Sequence, residues 1–174
     1  MIRISTRGRY ALRAMVDLAL HAAAGPVARQ DIAARQEISA DYVAQLFRLL
    51  SEAGLVAGRK GPGGGYRLLR DPATITAGEI LHVVEGPLAV VHCVLPADEP
   101  ACNRVDRCVT HLLWQRLSAV MSDYLDLVTL QDLCAEAQQT DSLAACVRDV
   151  GGEPSWMVRS MPSGDPTGLP TDRR

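Results

Sequence analysis

Three cysteines and a histidine crowd into one stretch of the second half of the chain. Cys93, Cys102 and Cys108 fall within 16 residues and His111 follows, giving the pattern C-x8-C-x5-C-x2-H. Three thiolates and an imidazole form a donor set for zinc or for an iron–sulfur cluster. The gaps are wider than the tight CxxC knuckles of structural zinc ribbons, which favours a cluster. The connecting run DEPACNRVDRC is polar, so Cys102 does not read as a simple core thiol. His92 adjoins Cys93 and is a second-rank ligand candidate. Cys134 lies in an apolar helical pattern and Cys146 in a polar C-terminal stretch, and both read as non-ligands. His21 and His82 fall within helical segments and read as structural. No nucleophile–base pair or carboxylate dyad stands out, so the chain does not read as an enzyme.

The elements that position these residues follow from periodicity and punctuation. A first helix is predicted from about Thr6 to Ala24, with Tyr10, Ala14, Leu18 and Ala22 on one stripe and Gly25-Pro26 as its stop. A second, short helix runs from about Arg29 to Arg35. Glu37-Ile38-Ser39 then forms a turn, and Ser39 caps a third helix from about Ala40 to Ala53. Helix, short helix, tight turn and helix make a tri-helical helix-turn-helix unit, whose last helix enters the major groove. LVAGRKGPGGGYRLLR follows and reads as strand, glycine-rich turn and strand, the wing of a winged helix. GPGGG lacks the Lys-Ser/Thr and the helix start that a nucleotide-phosphate loop needs.

Charge supports a polyanion partner for this first half. Residues 1–71 hold eleven Lys and Arg against six Asp and Glu, whereas residues 72–174 hold seven against fourteen. The candidate DNA-contacting residues are Gln45, facing bases, with Ser39, Tyr42 and Arg48 on backbone or groove edges. Arg59 and Lys60 are placed on phosphate or in the minor groove from the wing.

Downstream, residues 72–86 read as a short helix capped by Thr76, with Glu79 completing a capping box. Pro87 to Cys93 reads as extended. A long helix is predicted from about Asp106 to Val128, placing Cys108 and His111 one turn apart on it. Its apolar set, from Val109 to Val128, is too wide for one small core, so part of it faces a second copy of the chain. Leu117 with Tyr124, and Leu113 with Val120, are the seam pairs. A last helix covers Leu130 to Ala137, capped by Thr129.

The predicted fold class is mainly α with a small β-hairpin: a winged helix-turn-helix domain plus a long dimerisation helix. The predicted divisions are 1–71 for DNA binding, 72–137 for the connecting helix, cysteine loop and dimerisation helices, and 138–174 for a disordered tail. No secretory signal and no apolar run long enough to span a membrane is read, so no membrane partner is expected. An odd count of five cysteines points to a reducing, cytoplasmic setting.

ISTRGRYALRAMVDLA, ISADYVAQLFRLLSEAGLV, GPGGGYRL and CNRVDRCVTHLLWQRL together resemble the iron–sulfur cluster regulator (IscR-like) family of winged-helix repressors, over about residues 1–137. The resemblance implies a homodimer on a roughly palindromic double-stranded operator, with the long helices crossing at the interface. It implies a cluster on Cys93, Cys102 and Cys108, with His111 as fourth ligand, and [2Fe–2S] is favoured over [4Fe–4S]. Relatives commonly have a shorter first gap than the eight residues here, and some use an acidic residue near the N-terminus, where this chain has Gly8 and Arg9. A recognition-helix position often acidic in the family is Ala44 here, while Gln45 is kept. Gain, loss or oxidation of the cluster is then expected to shift the cysteine loop and the long helix, and so operator affinity. A zinc-stabilised interaction module without redox sensing is the alternative.

Overall fold

Local sequence sets each helix end. The computed structural model describes residues 4–95 and 102–145. Helix α1 spans Thr6–His21, and the Ser5 hydroxyl oxygen at its N-cap accepts from the Gly8 amide at 3.2 Å. A 3-10 turn, Ala22–Ala24, ends at Gly25. Helix α2 spans Arg29–Gln36 and stops at Glu37, which adopts the left-handed conformation with φ 56°. Ser39 then caps α3, Ala40–Glu52, accepting from the Tyr42 amide at 3.1 Å.

Strands β1, Val56–Arg59, and β2, Gly65–Leu68, pair antiparallel with Val56 opposite Leu68 and Arg59 opposite Gly65. The segment before α2 adds an isolated bridge: Val27 N donates to Tyr66 O at 2.9 Å, and Tyr66 N donates to Val27 O at 2.8 Å. A Cβ on Gly65 would stand 2.2 Å from the Val27 carbonyl oxygen, so only glycine lets the two backbones approach this closely.

Behind the wing, Ala11, Ala14, Met15 and Leu18 of α1 meet Ile32, Val43, Leu46, Phe47 and Leu50 of α2 and α3, all fully or nearly fully buried. Phe47 stacks at a tilt on Tyr66, 4.4 Å between ring centres, and so fastens the wing to α3. The fold class read from the sequence is the one observed, mostly helical with a two-stranded hairpin.

Helix α4 spans Ala77–Glu85, with Thr76 accepting from the Glu79 amide at 3.0 Å. The Glu79 carboxylate turns to Arg70 Nη1 at 2.6 Å, joining the wing's exit to α4 where the sequence suggested the second half of a capping box. Helix α5 spans His111–Leu127 and packs on α4, where a Cβ on Gly78 would lie 2.0 Å from the Asp126 carboxylate. Helix α6, Leu130–Ala145, returns to α1 and buries Leu130 against Ile75 and the rest of the core. At its start Thr129 and Asp132 cap reciprocally: Asp132 N donates to Thr129 Oγ1 at 3.1 Å, and Thr129 N donates to Asp132 Oδ2 at 3.0 Å.

Three sequence expectations need correction. The long helix begins at His111, five residues later than expected, because a 3-10 turn at Val105–Arg107 and an extended Cys108 precede it. Residues 87–91 form no strand but an irregular run with bends at 87, 90 and 91, which leads into a 3-10 turn at His92–Val94, and Val90 N donates to Ser118 Oγ at 3.1 Å. Helix α6 passes Ala137 and continues to Ala145, since QQTDSLAA holds no glycine or proline to stop it. Of the tail expected over 138–174, residues 138–145 belong to α6, and the rest, with Cys146, lies outside the described residues.

Candidate nucleic-acid interface and candidate metal centre

The outer face of α3 is polar because its inner face is spent on the core. Val43, Leu46, Phe47 and Leu50 point inward, and Asp41, Gln45, Arg48 and Glu52 are exposed. Ser39 spends its oxygen on the cap, which leaves its hydroxyl hydrogen to donate outward. Tyr42 is half-buried and meets Tyr10 edge to face, with 6.1 Å between ring centres. Arg48 Nη1 donates to Glu52 Oε1 one turn along at 2.7 Å, an exposed pair that a phosphate can displace at little cost. Arg59 closes β1 and Lys60 follows it in the turn, both exposed, with Arg67 exposed on β2. The six sequence-predicted contact residues thus occupy one helix and the adjoining wing.

A network that the sequence did not disclose holds the helix-turn-helix in shape. Asp17, 4% exposed within α1, accepts from Arg35 Nε at 2.7 Å, Arg35 Nη2 at 2.8 Å and Gln36 Nε2 at 3.1 Å. The Asp17 hydrogen bonds push the Arg35 guanidinium further up from its ordinary range. Arg13 donates to the Gln36 side chain at 3.0 Å and to the Gln36 carbonyl at 3.2 Å, and its guanidinium lies over Tyr10 at 5.3 Å. Asp17, Arg35, Gln36, Arg13, Tyr10 and Tyr42 thereby form one chain of contacts from the core to the recognition face. Asp17 in the sequence reads only as a break in an apolar run. The signal that could find its partner is the end of α2, where Arg35 and Gln36 sit beside a left-handed turn. His21 Nδ1 donates to the Asp17 carbonyl at 2.8 Å, in keeping with its structural reading.

The sulfur residues lie around the start of α5. Cys93 is half-buried in the 3-10 turn His92–Val94, and Cys102 is exposed, with its carbonyl accepting from Val105 N at 3.1 Å. Cys108 is half-buried, and its Sγ lies 3.3 Å from Thr110 Oγ1. The Thr110 hydroxyl, then the Thr110 amide, with smaller help from the His111 amide and Arg104, holds the Cys108 thiol below its ordinary range. His111 is the first residue of α5, not a partner of Cys108 on it, and His111 N donates to the Cys108 carbonyl at 3.1 Å. Its Nδ1 is buried and has no hydrogen-bond partner among the described residues. Among the described residues no three Cys, His, Asp or Glu side chains converge closely enough to hold a metal ion, and residues 96–101, between Cys93 and Cys102, lie outside them. Cys134 sits on α6 against α1, 3.9 Å from the Val16 carbonyl, and burial pushes its thiol up.

A tri-helical core, a capped recognition helix and a glycine-rich hairpin fastened to it define a winged helix-turn-helix transcription regulator. The family model of Rrf2, described as an iron-dependent transcriptional regulator, matches residues 4–136, and the chain belongs to that family. It is 42% identical over 135 residues to the HTH-type transcriptional regulator IscR of Vibrio vulnificus (strain YJ016), covering 78% of this chain and 79% of that one. It is 45% identical over 132 residues to IscR of Photobacterium profundum, covering 76% and 75%. Among solved structures it resembles CymR, the global cysteine regulator of B. subtilis, with TM-score 0.64 and 38% identity over 78% of this chain and 98% of that one. It also resembles T. potens IscR, with TM-score 0.62 and 34% identity over 85% and 93%. The expected membership in the IscR-like regulators is thus met, and the relatives are regulators rather than enzymes. No helix among the described residues is long and apolar enough to cross a membrane.

Proposed function

We propose that this DNA-binding regulator acts in the cytoplasm as a homodimer, and that an iron–sulfur cluster on Cys93, Cys102, Cys108 and His111 sets its affinity for a roughly palindromic operator. The observation that carries the reading is the Nδ1 of His111 at the head of α5, buried and without a hydrogen-bond partner among the described residues, three residues after Cys108, whose thiol Thr110 holds low in pKa. A buried imidazole nitrogen without a partner is costly, and ligation removes that cost. The similarity to IscR and membership of a family described as iron-dependent regulators support the same reading.

When bound, the cluster, most simply [2Fe–2S] with one imidazole ligand, supplies a redox-active cross-link. The chain's own residues do the rest. Cys93 follows α4, whereas Cys108 lies three residues before α5 and His111 opens it, so joining them fixes the start of α5 relative to α4. Helix α4 contacts α1 and α3, and Arg70 ties it to the wing through Glu79. Along α5, Leu112, Leu113, Leu117, Val120, Tyr124 and Leu127 remain exposed, an apolar face of the size that a second copy covers. Two α5 helices packed there place two recognition helices on successive major-groove turns, so a shift at the head of α5 changes their spacing.

The test is DNA binding by the anaerobically purified chain before and after the cluster is removed by chelation under oxidation. A several-fold change in operator affinity is the expected result. A colourless preparation with one zinc per chain, or affinity indifferent to cluster removal, overturns the proposal.

A further inference from the structure

We propose that Asp41 is a specificity-determining residue, its carboxylate accepting a hydrogen bond from the N4 amino group of one cytosine in each operator half-site. The inference rests on α3 being the helix that enters the major groove.

Asp41 lies in the first turn of α3, and the N-terminal residues of a recognition helix are the ones that reach base edges. It is spaced four residues from Gln45 and seven from Arg48, so the three side chains share one exposed stripe, opposite the buried Val43, Leu46, Phe47 and Leu50. Its side chain is 91% exposed, and capping is done by Ser39, so the fold does not use the carboxylate to close the helix. Arg29 Nη1 stands 3.8 Å from Asp41 Oδ1, too far for a direct hydrogen bond but near enough to offset the repulsion between a carboxylate and the phosphates.

An ionised carboxylate only accepts. In the major groove the donors are the amino groups of adenine and cytosine. Adenine places its N7 acceptor beside N6, which repels a carboxylate, whereas cytosine flanks N4 with a C–H on its own ring. Guanine offers only acceptors at that edge. The chemistry therefore selects cytosine and rejects guanine, next to the base that Gln45 reads.

The experiment is selection from a randomised duplex pool by the full chain, with Asp41→Ala and Asp41→Asn in parallel. The wild type is expected to enrich cytosine at one position per half-site. Asp41→Ala is expected to lose that preference by about tenfold while keeping the other positions. Asp41→Asn should move the preference toward adenine, whose N6 and N7 an amide matches. A residue that only stabilises the first turn of α3 would change affinity and leave base preference alone, so identical preferences in all three chains overturn the inference. Failure of the wild type to enrich any sequence overturns the α3 reading, and the inference with it.

Discussion

Arg35 grips Asp17 with two nitrogens, Nε on Oδ1 at 2.7 Å and Nη2 on Oδ2 at 2.8 Å, and so fixes the angle at which α2 leaves α1. Asp17 is buried, and Arg35 is about one-third exposed. Removing the carboxylate strands a guanidinium, and the partial exposure of Arg35 reduces the cost below that of a fully buried pair. Asp17→Ala is expected to lower stability by roughly 2 kcal/mol in urea unfolding. Operator affinity should fall as well, because Arg13, Tyr10 and Tyr42 lose their fixed neighbour. An unchanged midpoint would show that the network is incidental.

The wing depends on one close approach. Gly65→Ala places a methyl 2.2 Å from the Val27 carbonyl, and backbone on both sides must move. The expected cost is about 1–3 kcal/mol, with helix content kept and DNA affinity reduced. Circular dichroism with chemical unfolding checks it, and wild-type stability would place the hairpin elsewhere.

Arg59 tests contact rather than shape. It is exposed, so Arg59→Ala should leave the fold intact. It should flatten the salt dependence of binding by about one phosphate's worth per subunit. Fluorescence anisotropy across a salt series reads this slope, and a slope equal to wild type would remove Arg59 from the interface.

Helix α5 tests assembly. Leu113 is 55% exposed and Val120 is 60% exposed, so Val120→Glu should disturb nothing inside one subunit. Light scattering at micromolar concentration is expected to give twice the 18.7 kDa chain mass for the wild type and the single-chain mass for the variant. A folded wild-type monomer would end the dimer reading and the palindromic operator with it.

How much of this was legible in the sequence varies with the range of the interaction. Ser39 and Thr76 announced their helices because caps act over three residues. Val109 and Cys108 looked like the continuation of the α5 stripe, yet Val109 is 95% exposed and the chain turns before His111. Periodicity cannot tell an apolar residue in a turn from one on a helix face. The Asp17–Arg35 pair was out of reach because it depends on how two helices cross. The cysteine pattern named a donor set, but residues 96–101, between Cys93 and Cys102, lie outside the described residues.

The most direct measurement of the central claim is iron and sulfide content with visible absorption, taken anaerobically on the wild type and on single alanine variants. Cys93→Ala, Cys102→Ala and Cys108→Ala are each expected to lose the cluster, because three thiolates are its minimum cage. His111→Ala should keep a labile cluster with an altered spectrum, and Cys134→Ala and Cys146→Ala should match wild type. A full cluster in Cys102→Ala together with loss in Cys134→Ala would contradict the ligand set and move the search to the C-terminal segment.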